Sequence, residues 1–361
     1  MIPVTKTYLP PLSDYVKYLE KIWANGWITN NGELVQTLEK ELAEYFNSKY
    51  LCVVNNGTIA LQIAIKSLDL KGEIITTPFS YVATTSSIFW ESCQPVFADI
   101  DDKTFNINPE EIEKNITSKT SAVIATHVYG NPCDVESIQY IAAKYGIRVI
   151  YDAAHCFAVK YKGIPLVNYG DIATLSFHAT KLFHTIEGGA LITSNPELAH
   201  RFSYMRNFGH NGEENFWGLG INGKISEMHA AMGLCVLNNI DNILLKRKNQ
   251  FLKYWDFFNN YFPEVQLITI RKKTNYNYAY FPVVFPDEKI LLNVKNKLNE
   301  NEIFPRRYFY PSLNNLNYLE YKKMPVCESV SPRIMCLPLY NDLADAEIDM
   351  ICDLIYNTMN H

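Results

Sequence analysis

Leu51-Cys-Val-Val-Asn-Asn-Gly-Thr-Ile-Ala-Leu-Gln-Ile-Ala-Ile-Lys-Ser-Leu68 decides the fold. Four apolar residues, Leu51–Val54, are long enough for a buried strand and too short for a helix. Asn55-Asn56-Gly57 then punctuates the chain, and Thr58–Leu68 carries the denser apolar pattern of a helix. The same strand–turn–helix phrase recurs downstream. Further strands are expected at Glu73–Thr77, Pro95–Ala98, Ala122–Thr126, Arg148–Tyr151, Asp171–Phe177 and Ala190–Thr193. Helices are expected at Val82–Glu91, Pro109–Asn115, Val135–Tyr145 and Pro196–Arg206. Most of these strands are continuous runs of Val, Ile and Thr without in/out alternation. Such runs belong to a sheet covered on both faces by crossover helices, so the fold class is α/β with a largely parallel sheet.

Beyond Gly233 the phrase stops. A long helical stretch is expected around residues 225–258, with the basic cluster Lys246-Arg247-Lys248 inside it. Val265–Ile270, Tyr278–Phe285, a helix at Lys289–Asn299 and a Pro-containing tail suggest a smaller α+β domain. The 361 residues are therefore divided into a large domain, 1–240, and a small one, 241–361.

Composition excludes several classes. With 48% hydrophobic and 20% charged residues the chain buries a substantial core. Its 33 basic against 38 acidic residues give a net charge of −5, without the basic excess that nucleic-acid binding requires. No apolar run reaches the ~20 residues of a membrane span, and MIPVTKTYLPPLSD lacks the pattern of a secretory leader. A cytoplasmic protein is expected, with its eight cysteines as reduced core thiols. His155 with Cys156, and His178 with His184, lack the spacing of structural zinc ligands, so no metal is expected.

In open α/β sheets ligands bind beyond the carboxyl ends of the strands, and four places there stand out. Asn56-Gly57-Thr58 opens a helix directly after a strand, where free N–H groups and the dipole favour phosphate, although an ordinary Asn cap reads the same. Asp152 ends an apolar strand, so its carboxylate is poorly solvated and suits a cationic partner; a helix cap is the plainer reading. Lys181, in Ser176-Phe-His-Ala-Thr-Lys181, follows another strand and is a candidate amine nucleophile or a solvated loop lysine. Gly188-Gly189 is read as a tight turn. Asp152, His155 and Ser176 supply the residue types of a hydrolase triad, but Ser176 lacks the G-x-S-x-G elbow. No G-x-G-x-x-G supports a dinucleotide site. A phosphate cradle, a buried Asp and a Lys in that order are what pyridoxal 5′-phosphate requires.

These motifs resemble the sugar aminotransferases of the DegT/DnrJ/EryC1/StrS family, which have the fold-type-I aminotransferase architecture. The resemblance runs over almost the whole chain. It is carried by Gly26-Trp-Ile-Thr29, Asn56-Gly-Thr58, Pro78-Phe-Ser-Tyr-Val-Ala-Thr84, Pro95-Val-Phe-Ala-Asp-Ile-Asp101, His127-Val-Tyr-Gly130, Tyr151-Asp-Ala-Ala-His155, Ser176–Lys181, Glu187-Gly-Gly-Ala190 and Gly220–Glu227. It implies that Lys181 bears the cofactor as a Schiff base and shuttles the proton. It further implies Asp152 at the pyridine nitrogen, His155 near the ring hydroxyl and Tyr81 stacked on the ring. Gly57, Thr58 and Ser176 would bind phosphate, and Asn222 would reach it from a neighbouring subunit, which makes a homodimer with shared sites. Three positions depart from the family pattern: His178-Ala179-Thr180 stands where Tyr-Pro-Thr is common, Glu187 where Asp is usual, and Lys224 where Arg is frequent.

Within the family, Ser176–Lys181, Asn55–Leu61 and Arg306-Arg307-Tyr-Phe-Tyr-Pro311 look most like enzymes forming dTDP-4-amino-4,6-dideoxy-D-glucose. The resemblance implies L-glutamate as donor, a dTDP-linked 4-keto-6-deoxysugar as acceptor, and a product destined for O-antigen or another surface polysaccharide. A C3 aminotransferase of a dTDP-3-keto-6-deoxysugar and a UDP-sugar 4-aminotransferase are the alternatives. Pyridoxal-dependent sugar dehydratases carry His at the lysine position, so Lys181 argues against that chemistry. A catalytically silent regulator is disfavoured by the intact Asp152 and Lys181. The diphosphate of the substrate that the resemblance implies needs planar, bidentate cations, and Arg307 with Tyr308 is the expected substrate-binding pair.

Overall fold

In the computed structural model, which describes residues 1–360, the repeated phrase becomes a seven-stranded sheet. Its strands are β1 (Tyr50–Val54), β2 (Glu73–Thr76), β3 (Gln94–Phe97), β4 (Thr120–Thr126), β5 (Arg148–Asp152), β6 (Ile172–Ser176) and β7 (Gly189–Thr193). The spatial order is β1-β7-β6-β5-β4-β2-β3, parallel throughout except for β7, which runs antiparallel to both neighbours. Every expected strand is present, with ends displaced by at most two residues. The fold class is α/β, a mixed sheet between helices.

Successive residues of one strand enter different cores. Val149 and Tyr151 of β5 belong to one apolar cluster and Ile150 to another, as do Val53 and Val54 of β1. Both faces of the sheet are covered, which is why its strands are apolar without alternation. The first face carries helices α1 (Leu12–Asn25) and α2 (Glu33–Tyr45), and the second carries α3 (Gly57–Ser67). Helices α4 (Val82–Trp90), α5 (Pro109–Lys114), α6 (Val135–Tyr145) and α7 (Pro196–Met205) follow β2, β3, β4 and β7.

The amino-terminal helices α1 and α2 were not expected from the sequence. Helix α2 has no side-chain cap of its own; the buried carboxylate of Glu227 accepts from Leu34 N–H at 2.8 Å and Val35 N–H at 3.0 Å. A cap supplied from nearly two hundred residues away leaves no local signal.

The long helical stretch is two helices, α8 (Glu227–Leu237) and α9 (Ile240–Tyr261), broken at Asn238-Asn239. Helix α8 is buried on nearly all sides, and α9 crosses from one apolar core, at Ile240 and Ile243, into another, at Phe251, Tyr254 and Phe258. The smaller unit has a three-stranded antiparallel sheet, β8 (Gln266–Leu267), β9 (Phe281–Val284) and β10 (Ile334–Leu337), covered by α10 (Glu288–Glu300) and α12 (Asp345–Met359), with α11 (Pro325–Val330) nearby.

Two strand pairings cross a cut at residue 240. Ile2–Pro3 pairs in parallel with Ile303–Phe304, and Thr274–Asn275 pairs with Lys160–Tyr161. The basic cluster is no surface patch, because Arg247 is buried and donates to the carbonyls of Ala279 and Leu339, both at 3.1 Å. All eight cysteines are buried as free thiols, and among the described residues no helix is long and apolar enough to cross a membrane.

Candidate active site

Strands β1, β5 and β6 end on the same side of the sheet, and the antiparallel β7 begins there: Gly189 pairs with Val54 on one side and Ser176 on the other. A cavity of about 280 Å³ opens at these ends. Gly57, Thr58, Tyr81, Asp152, His155, Ser176, Lys181 and Tyr308 all line it, so residues scattered over most of the sequence meet in one place.

The two glycines make this closeness possible. A Cβ on Gly57 would lie 3.0 Å from the Ser176 Cβ. One on Gly189 would lie 2.6 Å from the Asn56 carbonyl carbon and 2.7 Å from the Leu175 oxygen. Gly189 is therefore a close-approach position as well as part of a turn. The Asn56 side chain accepts from Ile59 N–H at 2.8 Å, leaving the Gly57 and Thr58 N–H groups at the cavity for an anion.

Asp152 is buried at the end of β5. Its Oδ2 accepts from the Thr84 hydroxyl at 2.7 Å and its Oδ1 from Ala154 N–H at 3.1 Å. Thr84 is the end of a buried hydroxyl chain, since Ser80 Oγ lies 2.9 Å from Thr84 Oγ1 and 3.0 Å from Thr126 Oγ1. Burial raises the proton affinity of Asp152 above the usual carboxylate range, and the two hydrogen bonds oppose that rise. Thr84 sits inside the quoted Pro78–Thr84 motif, but its role is invisible until α4 is folded against β5.

Lys181 lies in the loop from β6 to β7, which is closed by Phe177 N–H to Gly188 O and by Thr185 N–H to Phe177 O. Burial pulls its amine down to about 8, with Asp152 acting in the opposite direction. Its Nζ donates to the Tyr280 hydroxyl at 3.4 Å. His155 accepts from Tyr129 N–H through Nδ1 at 3.2 Å, and burial holds it neutral. Tyr81 caps α4 with its ring 58% exposed at the cavity.

One expectation changes. Arg307 does not line the cavity; it pairs with Glu288 at 2.6 Å, donates to Pro332 O at 2.7 Å and stacks on Tyr310. The guanidinium at the cavity belongs to Arg306, which rests 4.7 Å over the Tyr308 ring and belongs to no ion pair among the described residues. In an extended segment adjacent side chains point apart, and sequence alone does not say which of two arginines faces inward. Asn222 is exposed, and its carbonyl accepts from Asn55 Nδ2 at 3.4 Å outside this chain's cavity. Tyr280 and Arg306 are site residues that the sequence reading missed.

A cavity with a helix N-terminus and a hydroxyl at one end, a buried carboxylate at the sheet and a desolvated amine opposite it fits pyridoxal 5′-phosphate. The glycine cradle at Gly57 is what a phosphate needs for close approach, and Asp152 forms no ion pair among the described residues.

The chain is 40% identical to the dTDP-4-amino-4,6-dideoxy-D-glucose transaminase of Shigella dysenteriae, over 98% of this chain and 97% of that protein. It is 38% identical to the Escherichia coli transaminase of the same name, over 99% of each. Among solved structures, DesI, determined in the presence of its TDP-sugar product, superposes with a TM-score of 0.93 at 28% identity, covering 99% of this chain and 92% of that one. Residues 13–356 match the model of the DegT/DnrJ/EryC1/StrS aminotransferase family. The chain belongs to that family and is a pyridoxal 5′-phosphate-dependent sugar aminotransferase.

Proposed function

We propose that this enzyme transfers the amino group of L-glutamate to C4 of dTDP-4-keto-6-deoxy-D-glucose, forming dTDP-4-amino-4,6-dideoxy-D-glucose. The observation that carries this reading is the 40% and 38% identity, over nearly the full length, to two transaminases of that name. A GDP-perosamine synthase of Escherichia coli O157:H7 reaches 30%, and a dTDP-3-amino-3,6-dideoxy-α-D-galactopyranose transaminase of Aneurinibacillus thermoaerophilus 29%.

Pyridoxal phosphate, when bound, supplies a protonated pyridine ring that accepts the electron pair left on carbon when a proton departs. The chain's own residues do the rest. Gly57 and Thr58 N–H and the Ser176 hydroxyl bind the phosphate. Asp152 would keep the pyridine nitrogen protonated, His155 would lie near the ring hydroxyl and Tyr81 would stack on the ring. Lys181 would hold the cofactor between turnovers, and its free amine would take the proton from the donor carbon and give it back to carbon later in the transfer. A lysine with its proton affinity brought down to about 8 is neutral often enough to act as that base.

Arg306, beside Tyr308, is the guanidinium that faces the cavity. Its field also lowers the proton affinity of Lys181, which puts it near the reacting atoms. The α-carboxylate of glutamate is bonded to the reacting carbon, whereas the diphosphate of a 4-keto sugar lies across the ring from it. The guanidinium therefore suits the donor carboxylate. Asn222 would complete the phosphate site of a second copy, giving a homodimer with shared sites; the exposed Phe208, Phe216, Trp217, Leu219 and Ile221 near it offer an apolar contact surface. The enzyme would act in the cytoplasm and supply a surface polysaccharide such as O-antigen.

The test is direct. Purified enzyme, cofactor and L-glutamate are incubated separately with dTDP-4-keto-6-deoxyglucose, dTDP-3-keto-6-deoxyglucose, a UDP-4-keto sugar and a GDP-4-keto-6-deoxymannose, and products are identified by NMR. Preferential amination of the first at C4 supports the reading; preference for any other substrate replaces it.

A further inference from the structure

Lys181 must leave the cofactor during each turnover, and a free amine on a flexible stem needs a place to stay. The structure provides one from the opposite wall. Tyr280 immediately precedes β9 of the smaller unit, and its hydroxyl receives the Lys181 Nζ at 3.4 Å. No carboxylate lies within ion-pair distance of that amine among the described residues; the phenol is its side-chain partner. We propose that Tyr280 is a positioning residue for the catalytic lysine: its hydroxyl receives the Lys181 amine whenever it is free and holds it ready to move a proton.

The choice of partner has a chemical consequence. A carboxylate at that point would favour the ammonium strongly and take away the base. A phenol can accept a hydrogen bond from the ammonium or donate one to the neutral amine, so it holds both forms in one place. Tyr280 keeps its own proton throughout, since burial raises the proton affinity of its phenol above the ordinary value. In the step itself the neutral amine takes a proton from the donor carbon and becomes ammonium, and that proton later returns to carbon. Tyr280 neither gains nor loses one.

The hydroxyl is itself fixed. The Tyr280 ring lies 4.7 Å from His155, 5.6 Å from Tyr129 and 5.5 Å from Tyr308, in tilted or edge-on contact with each. Just before it, the Ala279 carbonyl is held by the buried Arg247 guanidinium at 3.1 Å. Three rings and an anchored backbone leave the phenol little freedom, which is what a positioning group needs. The bond also joins the two parts of the chain, since Lys181 comes from the β6–β7 loop and Tyr280 from the smaller unit.

The catalytic meaning of this contact rests on the aminotransferase reading, but its test does not need the sugar substrate. Tyr280→Phe keeps the ring and removes only the hydroxyl. In cofactor-free protein, the pH dependence of Lys181 acetylation by acetic anhydride, read by peptide mass spectrometry, reports the proton affinity of the amine. Of the two bonds the one to the ammonium is charge-assisted and the stronger, so removing the hydroxyl costs the ammonium more than the neutral amine and lowers the midpoint, by roughly half a pH unit for one long hydrogen bond. In the loaded enzyme, kcat with L-glutamate should fall about tenfold with KM nearly unchanged, because the residue acts on the proton step and not on binding. An unchanged acetylation midpoint overturns the proposal, as does a variant whose only defect is a raised KM for the nucleotide sugar. A protein that passes both tests yet aminates a different sugar leaves Tyr280 in this role and replaces only the substrate assignment.

Discussion

Thr84→Val is the sharpest probe of the site's electrostatics. Valine keeps the shape of threonine and removes the hydroxyl that donates to Asp152 Oδ2 at 2.7 Å. Asp152 is only 6% exposed, so water cannot replace that bond. A hydrogen bond to a buried charge contributes about 1.5–3 kcal/mol. At ~1.4 kcal/mol per pH unit, its loss raises the Asp152 midpoint by about one to two units. The direction adds to the rise that burial already imposes. The sign for stability follows: a carboxyl whose folded proton affinity lies above its unfolded one contributes stability that is complete below the unfolded midpoint, near 4, and is lost as pH climbs through the folded midpoint. The variant without cofactor should therefore match wild type in acid and fall behind it toward neutral pH, by up to about 1.5–3 kcal/mol. Two measurements check this: ¹³C NMR titration of the Asp152 carboxyl, assigned with Asp152→Asn, and urea unfolding at acid and neutral pH. Thr84→Ser, which keeps the hydroxyl, should titrate near wild type. An Asp152 midpoint that does not move in Thr84→Val would refute the argument that this bond holds the carboxylate in its ionised form.

Asp152→Asn should retain bound cofactor but lose activity by roughly 100-fold or more, because an amide cannot keep the pyridine nitrogen protonated; equal turnover would contradict the role. Gly189→Ala drives a Cβ to 2.6 Å from the Asn56 carbonyl carbon, a backbone atom that cannot turn aside, and should cost about 1–3 kcal/mol in unfolding experiments together with weaker cofactor retention. Arg306→Ala should raise KM for L-glutamate about tenfold or more while the sugar half-reaction keeps its KM. Arg307→Ala, which breaks the pair with Glu288, should change unfolding stability and leave both KM values near wild type.

The strands and the charged residues of the cavity were legible for related reasons. A strand buried on both faces reads as an apolar run without alternation, and Val149–Tyr151 of β5 and Ile172-Ala173 with Leu175 of β6 announce themselves in that way. Asp152 and Lys181 stood out because a charge at the end of such a run is a local contrast. The amino-terminal helices were missed because their amphipathic pattern was passed over and the cap of α2 comes from Glu227, on α8. The break between α8 and α9 was missed because Asn238-Asn239 is a weak interruption in a continuous apolar stretch.

What the sequence by itself determined is the set of features written in short-range order: alternating strands and helices, a glycine turn after β1, an acid at the end of β5 and an amine after β6. Each depends on residues a few positions apart. What only the tertiary structure decided is which distant side chains meet them. Thr84 reaches Asp152 across 68 positions, Tyr280 reaches Lys181 across 99, and Arg306 enters the cavity while Arg307 turns to Glu288. Hydrogen bonds and ion pairs act over a few ångströms, and nothing in a local pattern specifies which segments packing will bring that close.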